Sequence, residues 1–172
     1  MGLREATAEL HSKAEKMEFN QRMFRGELSK KEYQHYLIQQ ASIFQCIEEH
    51  KSADIGPEMA RLTKIFDDIM ELSKEVPDSF PTIKATSEYG IYLESLKTKD
   101  LYPHIYLNYM ALMFGGQMMK SKVPGKGRMY DFDNVPELVA RIRGVQKDEW
   151  ADEVNKGFQY IINILDELQT HS

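Results

Sequence analysis

The stretch "YMALMFGGQMMKSK", residues 109–122, sets two adjacent glycines inside a helical pattern. Its methionines, leucine and aromatics recur at helical spacing, yet Gly115 and Gly116 interrupt the most apolar part of the run. A glycine inside a helix costs ~1 kcal/mol relative to alanine, and a pair costs more. Three causes are open on the residues alone. The pair can end a helix, let a second helix approach closely, or bring bare backbone against a flat ligand. "QMMKSK" continues the helical pattern, so a kinked helix over about 101–121 is the expectation.

The same periodicity runs through the rest of the chain. Apolar residues recur every three to four positions and never alternate, so helices are expected throughout and no strand. A first helix is expected from Leu3 to Phe24, interrupted by Gly26. Ser29 and Glu32 form a capping box ahead of a second, which carries Tyr33, Tyr36, Leu37, Ile43, Phe44 and Ile47. A third opens at Gly56-Pro57 and ends near Val76, and a fourth covers about 82–97. "VPGKGRMYDFDNVP", 123–136, is the longest irregular segment. A last helical region then runs from Pro136 to about Leu168, bent near Gly144. The expected fold class is all-α, a single domain over 1–172.

Composition narrows the function classes. The chain has 172 residues, 42% hydrophobic and 28% charged, which is enough apolar material for a buried core. With 22 basic against 27 acidic residues the net charge is −5, against broad nucleic-acid binding. No apolar run reaches the ~18 residues that a membrane span needs. The single cysteine, Cys46, forms no internal disulfide and completes no CxxC motif. A soluble protein of the cytoplasm or an equivalent reducing compartment is expected, with no membrane or nucleic-acid partner.

His11 is the first candidate for chemistry. It lies four residues before Glu15, so the two share a helix face. A carboxylate that accepts from one ring N–H fixes the tautomer and leaves the other nitrogen for a metal. For an isolated HxxxE the commoner reading is an ordinary surface His–Glu pair, so the spacing alone is a weak signal.

Taken together, the motifs resemble one family. "LREATAELHSKAEKMEFNQRMFRGELS", 3–29, resembles the opening of haem oxygenases, with their iron-ligating histidine. "HIYLNYMALMFGGQMMKSKV", 104–123, resembles their distal helix, and is most similar to the plant and algal branch. "YDFDN", 130–134, resembles the aromatic-acidic segment before their last helix. The resemblance implies a bundle that sandwiches haem between the first, proximal helix and the kinked distal helix. It implies His11 as metal ligand, Glu15 as its hydrogen-bonding partner, and Arg4 and Tyr106 at the propionates. Arg143 is the implied propionate residue of the last helical region, with Arg141 second. Ala111, Gly115 and Gly116 would present backbone to the distal face, flanked by Asn108, Phe114 and Gln117.

The chain departs from the family's pattern in its distal helix. Where many members read "YLGDLSGGQ", this chain reads "YMALMFGGQ", so Leu112 replaces the distal aspartate and Phe114 the serine. Leucine neither donates nor accepts a hydrogen bond. Backbone carbonyls near Ala111 and Gly115, with Asn108 or Gln117, are the remaining holders of a distal water. The chain is also shorter than most members between Arg143 and Phe158.

The activity implied is oxidative opening of haem b, as substrate and cofactor, to biliverdin, with O2 and electrons from ferredoxin or a reductase, releasing CO and Fe2+. A monomer is expected. The alternatives are a catalytically weak or inactive haem-binding or sensing relative and, on the same scaffold, a non-haem di-metal oxidase. His35, His50 and His171 read as solvated, His104 as a helix-start cap, and Trp150 and Phe158 as packing residues.

Overall fold

The computed structural model describes residues 1–171, and among these there is no strand. Ten α-helices follow one another: α1 (Leu3–Ala6), α2 (Ala8–Glu15), α3 (Glu18–Phe24), α4 (Lys30–Glu48), α5 (Leu62–Leu72), α6 (Lys84–Ser95), α7 (Thr98–Met113), α8 (Gly116–Met119), α9 (Val135–Val145) and α10 (Ala151–Thr170). Single turns of 3-10 helix precede α9 (Arg128–Tyr130) and α10 (Asp148–Trp150).

α4 is the central element. Its capping box forms as the sequence requires: Ser29 Oγ accepts from Glu32 N at 3.1 Å, and Glu32 Oε1 accepts from Ser29 N at 3.0 Å. α5 and α6 pack on it, and α10 packs against α2, α3, α6 and α7. Tyr33, Leu37, Ile43, Phe44 and Ile47 of α4 meet Ile65 and Leu72 of α5 and Tyr89 and Leu93 of α6 in the main core. Each large aliphatic side chain buried there contributes ~2 kcal/mol. A second cluster joins Leu3 and Ala14 to Leu107 of α7 and Val154, Phe158 and Ile162 of α10.

The expected first helix is three helices. The chain leaves helical geometry at Thr7, whose Oγ1 bonds back to Leu3 O at 2.9 Å, and at Met17, which is extended at ψ 136°. The third helix starts at Leu62 rather than Gly56-Pro57. The final region breaks at Gln146, extended at ψ 139°, not at Gly144. α10 is then tied to the N-terminus: Asp148 Oδ1 accepts from Leu3 N at 3.0 Å, and Asn155 Nδ2 donates to Ala6 O at 3.2 Å. α10 crosses α7 at Gly157, where a Cβ would stand 2.5 Å from Leu107 Cδ2 and 3.1 Å from His104 Nδ1. A side chain there would force Leu107 to move and would crowd the His104 ring.

His104 is not a cap. α7 begins at Thr98, nearly a turn earlier than expected, which puts His104 well inside the helix at 0% exposure. Its partners specify one neutral tautomer. Asn108 Nδ2 donates to Tyr89 Oη at 3.0 Å, and Tyr89 donates to His104 Nδ1 at 2.7 Å. His104 Nε2 then donates to Glu153 Oε1 at 3.0 Å, and Tyr92 donates to the same carboxylate. Burial holds the imidazole below its ordinary value of 6.5 against the pull of Glu153. His35 is likewise not solvated: it is half-buried against Phe80, 4.6 Å between rings, and burial lowers its pKa as well.

This gives stability a defined pH dependence. A base whose folded pKa is lowered contributes fully above 6.5 and loses that contribution as pH falls, because the unfolded chain takes the proton first. Glu153, also lowered, acts in the same direction below 4.5. The melting temperature is expected to fall between pH 7 and pH 5, and His104→Gln is expected to flatten part of that fall, leaving the share of His35. Thermal denaturation of both proteins across that range checks it. Equal slopes would mean that His104 does not carry the linkage.

Candidate functional site

The break after α7 answers the question posed by the two glycines. The helical ladder closes Phe114 N to Met110 O at 3.0 Å and resumes as a tighter turn, Gln117 N to Phe114 O at 3.1 Å. Phe114 takes up the change of direction at φ −101°, ψ −93°. Gly115 has ordinary helical dihedrals (φ −55°, ψ −33°), so neither turn geometry nor a left-handed conformation requires glycine there. The reasons are steric, and they differ between the two positions. A Cβ on Gly116 would stand 2.9 Å from Tyr130 Cδ1 and 3.1 Å from Ala111 O. A Cβ on Gly115 would meet nothing within 4 Å. One glycine permits internal packing; the other bares backbone to open space.

Large apolar side chains flank that bare backbone. Phe114 is 49% and Met118 58% exposed. Arg143, from α9, brings its guanidinium 5.5 Å from the centre of the Phe114 ring. Arg143 and Arg4 both act on the Tyr106 phenol: burial raises its pKa, and the two cations pull it back. Tyr106 therefore stays protonated as a donor. These residues join α1, α7 and α9 around one edge, with positive charge beside exposed apolar surface.

His11 lies on α2, its side chain 56% exposed, stacked on Phe158 of α10 at 5.3 Å and 19° between planes. The pair with Glu15 forms through Nε2, 2.8 Å from Oε1, so Nδ1 is the nitrogen that the carboxylate does not engage.

Other expected residues are placed differently. Leu112 is 6% exposed and packs in the main core, and Asn108 is 7% exposed with its amide nitrogen committed to Tyr89 and to His104 O, 2.8 Å away. Gln117 donates to Leu112 O at 3.1 Å and Tyr130 O at 2.8 Å, bridging the break. Ala111 is exposed. Arg141 pairs with Glu58 at 3.3 Å and Glu137 at 3.5 Å. Among the described residues no three His, Cys, Asp or Glu side chains converge to hold a metal ion.

Sequence reasoning missed three participants. Phe158 backs the His11 ring, Met118 extends the apolar strip, and Arg61 fixes the "YDFDN" segment from inside the core. An arginine within the apolar pattern "MARLTKIF" is the one signal that pointed to the last of these.

The surroundings suit a flat, mostly apolar ligand with acidic groups along one edge. The fold itself resembles those of known proteins. Its fold matches heme oxygenase-1 of the cyanobacterium Synechocystis sp. PCC6803, solved in complex with heme, at a TM-score of 0.83 and 18% identity, covering 98% of this chain and 91% of that one. Heme oxygenase from Leptospira interrogans matches at 0.81 and 22% identity, covering 97% and 100%. Heme oxygenase-2 from Synechocystis, solved with heme and NO, matches at 0.81 and 18%, covering 98% and 84%. No curated protein sequence matches it. The family model described as heme oxygenase matches residues 1–160, and with so much of its length inside that model the chain belongs to the haem oxygenase family.

Proposed function

We propose that this haem oxygenase seats haem against the bare backbone of Gly115, with His11 as its iron ligand and Arg4, Tyr106 and Arg143 at its propionates, and opens it to biliverdin, CO and Fe2+. The observation that carries the reading is Gly115, an unstrained glycine with no protein atom to meet a Cβ, beside exposed Phe114 and Met118 and the Arg143–Tyr106–Arg4 edge. Haem, when bound, supplies the iron at which O2 is activated and the porphyrin that is consumed.

The chain's own residues do the rest. Arg4 and Arg143 neutralise carboxylates through charge-assisted hydrogen bonds, and the Tyr106 hydroxyl donates a further one. Phe114 and Met118 exclude water from the ligand face, and Phe158 keeps the His11 ring upright by stacking. Leu112, turned into the core, places no carboxylate on the distal side. A water there would be held by backbone, with the Ala111 carbonyl oxygen the proposed acceptor. A ferredoxin or a comparable reductase would supply electrons at the basic edge. Burial and Glu94 push the Cys46 thiol up to about 11, which keeps it protonated and unreactive in the reducing compartment proposed for this chain.

Hemin titration tests the assignment. Wild type is expected to give a sharp Soret band, and His11→Ala a broadened or shifted one with affinity lowered on the order of tenfold or more. Reductant under air is then expected to bleach the wild-type band as a bilin absorbance rises. A Soret band that persists under reductant and air would favour the haem-binding relative without turnover. Free-hemin spectra from wild type would overturn the site altogether.

A further inference from the structure

Tyr130 is 2% exposed and belongs to no part of the ligand face, yet it touches the broken helix in two ways. Its ring occupies the place that a Cβ on Gly116 would need, with Cδ1 and Cε1 at 2.9 and 3.1 Å. Its carbonyl accepts from Gln117 Nε2 at 2.8 Å, and the same nitrogen donates to Leu112 O at 3.1 Å on the far side of the break. The ring cannot retreat, because its phenol lies in one buried group with Tyr33 and Tyr36 of α4. Nor can its backbone, since Arg61 holds the carbonyls on either side of it, Met129 O at 3.2 Å and Asp131 O at 2.5 Å.

We infer that Tyr130 is a positioning residue: its ring, pressed on Gly116 and locked by Gln117, sets the height of the Phe114–Gly115 backbone above the ligand face, and so the room for a diatomic ligand on that side. The inference rests on the haem reading above. Its force comes from Leu112 and Asn108. With both side chains engaged inside the protein, the distal wall is backbone, and its height is set from beneath. A packed interior passes small displacements on without absorbing them, and sub-ångström changes in placement alter binding and rate severely.

The test is a cycle of full-length variants, Gly116→Ala, Tyr130→Leu and the two combined, with Tyr130→Phe as the conservative control. Each is loaded with hemin, reduced and exposed to CO. The infrared C–O stretch then reports the room and polarity beside the bound gas. Gly116→Ala is expected to shift that band and to change CO dissociation on the order of tenfold. Tyr130→Leu should shift it as well, since nothing then supports the kink. The combination should return most of the way to wild type, short of complete because Ala111 O still stands 3.1 Å from the new methyl. Tyr130→Phe, which keeps the ring, should keep the wild-type band. Should Gly116→Ala fail to fold, Gln117→Met, which removes both carbonyl bonds from an exposed position, is expected to shift the band instead.

Additive shifts in the combined variant, or an unchanged band in folded Gly116→Ala or Gln117→Met, would overturn the inference. Absence of hemin binding by wild type would instead remove the haem reading. Thermal denaturation of the ligand-free cycle would still show whether the methyl introduced by Gly116→Ala and the Tyr130 ring compete for one space.

Discussion

Arg61→Met is expected to lower the stability of the ligand-free protein by about 3–5 kcal/mol, the cost of breaking a buried charge network by removing one member. Arg61 is 0% exposed, and its guanidinium is spent on backbone. Nε donates to Met59 O at 2.9 Å, one terminal nitrogen to Met129 O and Asp131 O, and the other to Glu58 O at 3.1 Å. Its plane covers the Phe132 ring at 3.6 Å. Burial lowers its pKa to about 10, with Glu48 opposing, so it remains charged at neutral pH. Glu48 meanwhile accepts from Arg61 N at 2.8 Å, Leu62 N at 3.3 Å and Tyr109 Oη at 2.8 Å.

Methionine fills a similar volume but donates nothing. It leaves the carbonyls unpaired in the interior and the Glu48 carboxylate without its cation. An unsatisfied buried group costs ~1–3 kcal/mol, and those costs outweigh the gain from apolar packing. Arg61→Lys keeps the charge but not the planar fork, so it should fall between the two. At ~2–4 °C per kcal/mol for a chain of this size, the methionine variant should melt on the order of 10 °C lower. Urea and thermal denaturation measure it. A loss below ~1 kcal/mol would show that the clamp is dispensable.

Arg61 also marks where sequence reading stopped. Periodicity registers one charged residue ahead of "LTKIF" and can place it only on a helix surface or end. Two of its four acceptors come from residues 129 and 131, about seventy positions away, and exist only once the fold brings them in. His104 failed to show for the same reason: the pattern gave it a helix, but Tyr89 and Glu153, which make its burial tolerable, lie on two other helices. Local signals did better. The capping box at Ser29 and Glu32 was legible because its chemistry lies within four residues. The kink at 114–116 was legible because a glycine pair in an apolar run is costly anywhere. The division of labour between those glycines was not, since one answers to a tyrosine ring fourteen residues on and the other to empty space. The breaks at Thr7 and Met17 had no glycine or proline to announce them.

Gly115→Ala is expected to separate folding from binding. The backbone at 115 is αR, within reach of any residue, and a methyl there meets no protein atom within 4 Å. Alanine restricts the unfolded chain more than glycine does, so the ligand-free variant should be as stable as wild type or more so, by up to ~1 kcal/mol. Hemin affinity should move the other way. The methyl projects into the space where a planar ligand would touch bare backbone, and displacing such a ligand by ~1 Å should weaken binding by one to two orders of magnitude, ~1.4–2.8 kcal/mol. Gly116→Ala should instead have a lower melting temperature before any ligand is added, because its methyl strikes Tyr130. Thermal denaturation of both variants without ligand should move their melting temperatures in opposite directions, and hemin titration then reads the binding cost of the Gly115 methyl. A Gly115→Ala protein that binds hemin as wild type does would mean that the open space over this glycine faces solvent, and that the ligand lies elsewhere.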